Sequence, residues 1–128
     1  MAYAARKSSW PRPSERTAKI PKEREMLYRM QAGICRVLAH PRRLQILDLL
    51  AGGEKSSQQL QRELGISKMN LSQHLTLMKH AGLVESRTEG RAALHRLAFR
   101  EIKDACGMIR SVLAARLERG SQLARSLR

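Results

Sequence analysis

Residues 56–83 read SSQQLQRELGISKMNLSQHLTLMKHAGL, and the spacing within them decides the fold. They form two short helices separated by Gly65-Ile66-Ser67. Ser56 and Gln59 make a capping box, in which the hydroxyl accepts from the Gln59 backbone and the Gln59 amide reaches back. Leu60 and Leu64 give that helix its buried side, and Gly65 stops it. Ser67 caps the second helix, where Leu71, Leu75 and Met78 recur at core spacing. The opposite side carries Met69, Ser72, Gln73, Thr76 and His80, flanked by Lys68 and Asn70. Taken alone, that side is an ordinary solvated helix face.

Its neighbourhood gives it a purpose. The chain continues as LVESRTEGRAALHRLAF over 83–99, a β-hairpin turning at Thr88-Glu89-Gly90-Arg91, where Gly90 is free to take a positive φ. Ala93, His95, Leu97 and Phe99 alternate with Leu94, Arg96 and Ala98, so one face is expected to be buried. Arg87 and Arg91 flank the tip. Two helices across a three-residue turn, followed by a basic hairpin, make a winged helix–turn–helix. The predicted fold class is thus mainly α with a small β-hairpin wing. The second helix is the right width for a DNA major groove, with its N-terminal polar side chains toward base edges. The wing arginines would meet the backbone or the minor groove beside it.

Upstream, a helix is expected from about Glu23, with Leu27, Met30, Ile34, Val37 and Leu38 at helical spacing and Met26 at the edge. It should stop near Ala39-His40, because Pro41 disfavours helix before it and suits the first position of a new one. The second helix, PRRLQILDLLAGG, is expected to bury Leu44, Ile46, Leu47 and Leu50 and to end on Gly52-Gly53. Residues 1–22 hold three of the four prolines and no apolar period, which reads as a flexible basic arm before a single domain over 23–128.

The last helix should run from about Arg100 towards Leu127. Ile102, Ala105, Cys106, Ile109, Val112, Leu113 and Leu117 fall on one stripe, longer than a small domain covers by itself. It reads as half of a homodimer interface shared with the first helix.

The bulk composition agrees. Hydrophobic residues make up 42% of the 128, enough for a folded core, and only Tyr3, Trp10, Tyr28 and Phe99 are aromatic. Against 11 acidic residues stand 25 Lys and Arg, a formal charge of +14 that suits a polyanion: nucleic acid first, an anionic membrane surface second. No apolar run reaches the length of a membrane span and no secretory segment opens the chain, so a cytoplasmic protein is expected, with Cys35 and Cys106 reduced.

The stretch 38–97 resembles the ArsR family of bacterial repressors. The resemblance rests on LAHPRRLQIL at 38–47, LSQHL at 71–75, AGLV at 81–84 and EGR at 89–91, and it covers nearly half the chain. It implies a homodimer that binds double-stranded operator DNA and leaves it when an inducer binds or oxidises the protein. It puts Lys68, Met69, Asn70, Ser72, Gln73 and His74 at the DNA, with Arg87 and Arg91 on the wing. Family members often carry Gln or Ser where this chain has Lys68 and Met69, so the operator sequence is not transferable.

The inducer sites do not carry over. Where arsenic and cadmium sensors of the family place a thiol pair at the start of the third helix, this chain has Ser56 and Gln58. The acidic and His ligands of the zinc sensors are matched at best by Asp104 and Cys106, and residues 115–119 offer no His. The second-helix Cys of the persulfide sensors is Asp48 here. What remains is Cys35 and Cys106, either as small core side chains or as a redox or thiophilic-metal sensor. Two thiolates fall short of a four-ligand zinc site, and the histidines (His40, His74, His80, His95) are too scattered to complete one. No metal and no cofactor is therefore expected. Catalysis has no support either: there is no phosphate-binding glycine loop, and Ser72 and His74 stand two apart on a helix, facing different ways.

Two rivals to a sequence-specific repressor remain at this point. One is an architectural, nucleoid-associated protein with little sequence preference, favoured by the charge and the arm. The weaker is an RNA-binding winged helix.

Overall fold

The computed structural model describes residues 21–127. Of the basic arm expected over 1–22, all but Pro21 and Lys22 lies outside the described residues, and Lys22 already opens the first helix. The order is α1 (Lys22–Leu38), α2 (Pro41–Ala51), β1 (Lys55–Ser56), α3 (Ser57–Leu64), α4 (Lys68–His80), β2 (Val84–Glu89), β3 (Ala92–Leu97) and α5 (Glu101–Ser126). The chain divides into two units between Gly33 and Ile34.

Each boundary has a local chemical cause. His40, extended, caps α2 by accepting from the Arg42 N–H at 3.1 Å, with Pro41 supplying the preset φ of the first helical position. The capping box of α3 is complete: Ser56 Oγ accepts from Gln59 N at 3.1 Å, and Gln59 Oε1 accepts from Ser56 N at 2.8 Å. Gly65 then leaves the helix at φ +64, a conformation a side chain would strain, and Ser67 caps α4 through Asn70 N.

These three helices close over Ile46, Leu47 and Leu50 of α2, Leu60 and Leu64 of α3, and Leu71, Leu75 and Met78 of α4, joined by Val84. All are almost completely shielded, and each such side chain contributes about 1.5–3 kcal/mol relative to exposure. Val37, Leu38, Leu97, Ile102 and Cys106 pack against this core from its edges.

Leu44 and Phe99 depart from expectation. Leu44, expected inside, is 40% exposed, and Phe99 is 59% exposed. Phe99 lies two residues past the end of β3, so the alternation that buries His95 and half-buries Leu97 no longer governs it. Leu44 lies one turn before Leu47, in the first turn of α2, beyond the residues that pack against the core.

The sheet has three antiparallel strands in the order β1-β3-β2, one more than a hairpin provides. The extra strand is the two-residue β1, with Lys55 opposite His95 and Ser56 opposite Leu94. Glu89 pairs with Ala92 across the two-residue turn Gly90-Arg91, and only Gly90 has positive φ (+61), the pattern of a type II′ turn.

The long helices at either end of the described residues bury little. In α1 no residue is buried, and Met26, Leu27 and Met30 are 57–66% exposed. Among the described residues of α5 only Ile102 and Cys106 are partly covered, while Ile109, Val112, Leu113 and Leu117 stand 51–68% exposed. An ion pair of 2.7 Å from Arg110 to Asp48 ties α5 to α2. No described helix is long and apolar enough to cross a membrane.

Candidate nucleic-acid interface

Helix α4 is fixed by its apolar side, which leaves the other side to solvent. Lys68, Met69, Asn70, Ser72 and Gln73 are all exposed there, in the first two turns, with Thr76 and His80 continuing the row. Beside the start of α4 lies an open groove of ≈ 510 Å³ between the N-terminal end of α3 and the wing. Lys68 lines one side and Arg91 the other, with Ser57, Gln58 and Gln61 along its floor. Two cations on one groove supply donors of the kind an anionic strand takes, and Glu89 is the one carboxylate among its lining residues. Exposed Gln58 and half-buried Gln61 are not among the contacts expected from sequence, because a capping box announces a helix end and not what its amides will face.

The two wing arginines are not equivalent. Arg87 donates to Glu54 Oε1 and to Glu89 Oε2, each at 2.7 Å, and these partners raise its pKa further above the ordinary guanidinium range. Arg91, in the turn, is exposed and makes no ion pair with a described residue. Arg91→Ala is therefore expected to weaken binding to every duplex alike and to lower the salt slope by about one. Arg87→Ala should change the slope by less, since Arg87 enters any complex already neutralised. Equal slopes for the two variants, measured by anisotropy from 50 to 300 mM salt (on the order of the usual range), would show that Arg87 exchanges its carboxylates for phosphate.

His74 differs from its neighbours on α4. It is half-buried, and its Nδ1 accepts from Arg43 Nε at 3.3 Å while its ring packs on His40 at 4.6 Å between centroids. Burial, and then the cations around it, lower its pKa.

His95 holds the wing to the helix–turn–helix. It is 4% exposed, with Nε2 at 2.8 Å from Ser57 Oγ on α3 and Nδ1 at 2.6 Å from Ser86 Oγ on β2. Each hydroxyl can donate or accept, so a neutral ring in either tautomer satisfies both. Burial, then Lys79, depresses the His95 pKa. The unfolded chain consequently binds a proton at pH values where the folded one does not, so stability falls as pH drops below about 6.5. The urea midpoint is expected to move down between about pH 7.5 and 5.5, and to move less in His95→Gln. His74 contributes in the same sense, so some slope should survive. An unchanged slope in the variant would show that His95 titrates alike in both states.

The two thiols are free. Cys35 on α1 is exposed; Cys106 on α5 is half-buried, and burial together with the Asp48 carboxylate pushes its thiol up, against the pull of Arg110. A raised thiol holds less of the nucleophilic thiolate. Among the described residues no group of three or more His, Cys, Asp and Glu side chains is close enough to hold a metal ion.

Comparison with known proteins agrees with this geometry. Residues 40–86 match the family model described as bacterial regulatory protein, arsR family. The chain is 37% identical over 93 residues to the HTH-type transcriptional regulator Rv0081 of Mycobacterium tuberculosis, an alignment covering 72% of this chain and 82% of that protein. The crystal structure of Rv0081 superposes with a TM-score of 0.67 at 35% identity, over 72% of this chain and 93% of that one. The homodimeric winged helix–turn–helix DNA-binding domain of Mb0332 from Mycobacterium bovis superposes at 0.70 with 32% identity, over 80% and 94%. The transcriptional repressor BigR of Xylella fastidiosa does so at 0.64 with 26% identity, over 73% and 96%. An exposed polar helix in a helix–turn–helix, a basic wing beside it and these matches have one explanation: the chain belongs to the ArsR family of winged helix–turn–helix transcriptional regulators.

Proposed function

We propose that the protein is a homodimeric repressor that reads a two-fold operator with α4 and leaves it in response to an inducer. The observation that carries this is the uncovered polar row Lys68, Met69, Asn70, Ser72 and Gln73 on a helix whose other side is locked into the core. Such a row, carried twice on a two-fold dimer, reads paired half-sites. Lys68 and Arg91 take the backbone at the groove between them, and His74 supports the helix from behind. The second copy is argued from the uncovered apolar side chains of α5 and, taken separately, of α1, each a face of the kind a subunit interface covers. The Mb0332 domain, which is homodimeric, and BigR, which is a repressor, support the same reading.

The inducer would act through thiols. Cys35 is the side chain a thiol-reactive compound meets first, since Cys106 is half-buried with a raised pKa. The test is binding to the DNA upstream of the protein's own reading frame against random duplex of equal length, at several salt concentrations. A preference of roughly 10³-fold or more is expected for the upstream DNA. Equal affinities would instead mark an architectural protein that coats DNA through its charge. Repeating the titration after peroxide, polysulfide or arsenite, with Cys35→Ser and Cys106→Ser alongside, decides the thiol role. Release by the wild type that is lost in Cys35→Ser supports sensing; identical behaviour of all three proteins assigns both cysteines to packing.

A further inference from the structure

Arg42 and Arg43, adjacent on α2, grip the two helices of the helix–turn–helix separately. Arg42 donates to Gln45 Oε1 at 3.0 Å and to the Leu64 carbonyl, at the end of α3, at 3.4 Å. Arg43 spans a longer gap: Nη1 donates to the Val37 carbonyl at the end of α1 at 2.9 Å, and Nε to His74 Nδ1 in the middle of α4. One planar guanidinium thus joins the last turn of α1 to α4. A fixed fork does this from two separate nitrogens at lower entropic cost than a lysine, whose single nitrogen would have to reach both acceptors from one point.

The histidines on either side are arranged for it. His40 Nδ1 accepts from Arg42 N and His74 Nδ1 from Arg43 Nε, so in both neutral rings the proton sits on Nε2. A protonated His74 has a proton on each nitrogen and cannot accept from Arg43. The groups that bear on it are His40 from the α1–α2 turn and Arg43 and Arg42 from α2, all cations when charged. A proton on His74 would therefore meet repulsion as well as the lost bond.

We propose that Arg43 is a positioning residue for the DNA-reading helix, acting through His74, and that the tie holds while His74 is neutral. Lowering the pH then frees α4 from the end of α1 without touching Lys68, Met69, Asn70, Ser72 or Gln73. The inference rests on α4 being the helix that reads DNA, and its test has one arm that needs no DNA.

In the free full-length protein, α4 amide resonances should shift with the midpoint of the His74 ring titration, and stay flat in His74→Asn. Asparagine places an acceptor near the Nδ1 position and does not titrate. On DNA, Arg43→Ala and Arg43→Lys should each lose about tenfold of the preference for the upstream duplex over random duplex at pH 7.5, with binding to random duplex less affected. His74→Asn should keep that preference at both pH 7.5 and pH 5.5, whereas the wild type loses about tenfold at the lower pH. Three results overturn the proposal: α4 amides that ignore the His74 titration, an Arg43→Lys variant that binds like wild type, or equal losses in wild type and His74→Asn at pH 5.5. A wild type with no preference at pH 7.5 would strike the operator reading instead, and the resonance titration would still decide the tie.

Discussion

Glutamate at both Ile109 and Leu113 is expected to leave the chain monomeric and to weaken binding to its upstream DNA by about 10²–10⁴-fold. Both side chains are more than half exposed on α5 and stand on one stripe with Val112 and Leu117. A second copy laid over that stripe would shield them, and burying a carboxylate there with no partner costs several kcal/mol. The loss on DNA exceeds that of any single contact because a dimer binds its second half-site at the effective concentration set by the first. The core of Ile46, Leu60, Leu71 and Met78 lies away from the substitutions, so each monomer should keep its helical signal. Sedimentation and DNA titration of the same sample read both effects. A variant that stays dimeric would remove α5 from the interface.

The second large effect is expected at Gln73. Its amide is exposed one residue before His74, whose ring is held from behind, so the turn of helix presenting it is fixed before DNA arrives. A Gln amide can make two hydrogen bonds to an adenine edge, worth about 1–3 kcal/mol of discrimination per half-site, and a two-fold complex loses that twice. Gln73→Ala should therefore lower operator affinity by about 30-fold to about 10⁴-fold, and random-duplex affinity by much less. Ser72→Ala should behave in the same direction with a smaller loss. Equal losses on both duplexes would make these side chains backbone contacts and leave base reading to the wing.

What the sequence discloses about this molecule follows the range of each interaction. The capping box at Ser56, the Gly65 exit, the Ser67 cap and the leucine spacing of α3 and α4 act within four residues, and the structure has all of them. The exposed row of α4 could be read for the same reason: a helix face is a local property. Strand β1 could not, because two residues carry no period and their pairing depends on β3, some forty positions away. The same holds for Arg87, committed to Glu54 across 33 positions, and for Arg43 and His74, 31 apart. A wing arginine looks free, and a recognition-helix histidine looks available, until the fold supplies the partner. Leu44 and Phe99 fail differently: Leu44 keeps the helical pattern but lies in a first turn the core does not reach, and Phe99 lies past the end of the strand whose alternation it continues.

Hydroxyl-radical footprinting of the full-length protein on its own upstream DNA tests the proposed operator binding most directly. Two copies of α4 related by a two-fold axis should protect two symmetric blocks whose centres lie about one helical turn, or a whole multiple of it, apart. Those blocks should persist when random competitor is raised to roughly a hundredfold excess, given the specificity expected of an operator. Unbroken protection along the whole fragment, dispersed by the same competitor, would contradict a sequence-specific dimer.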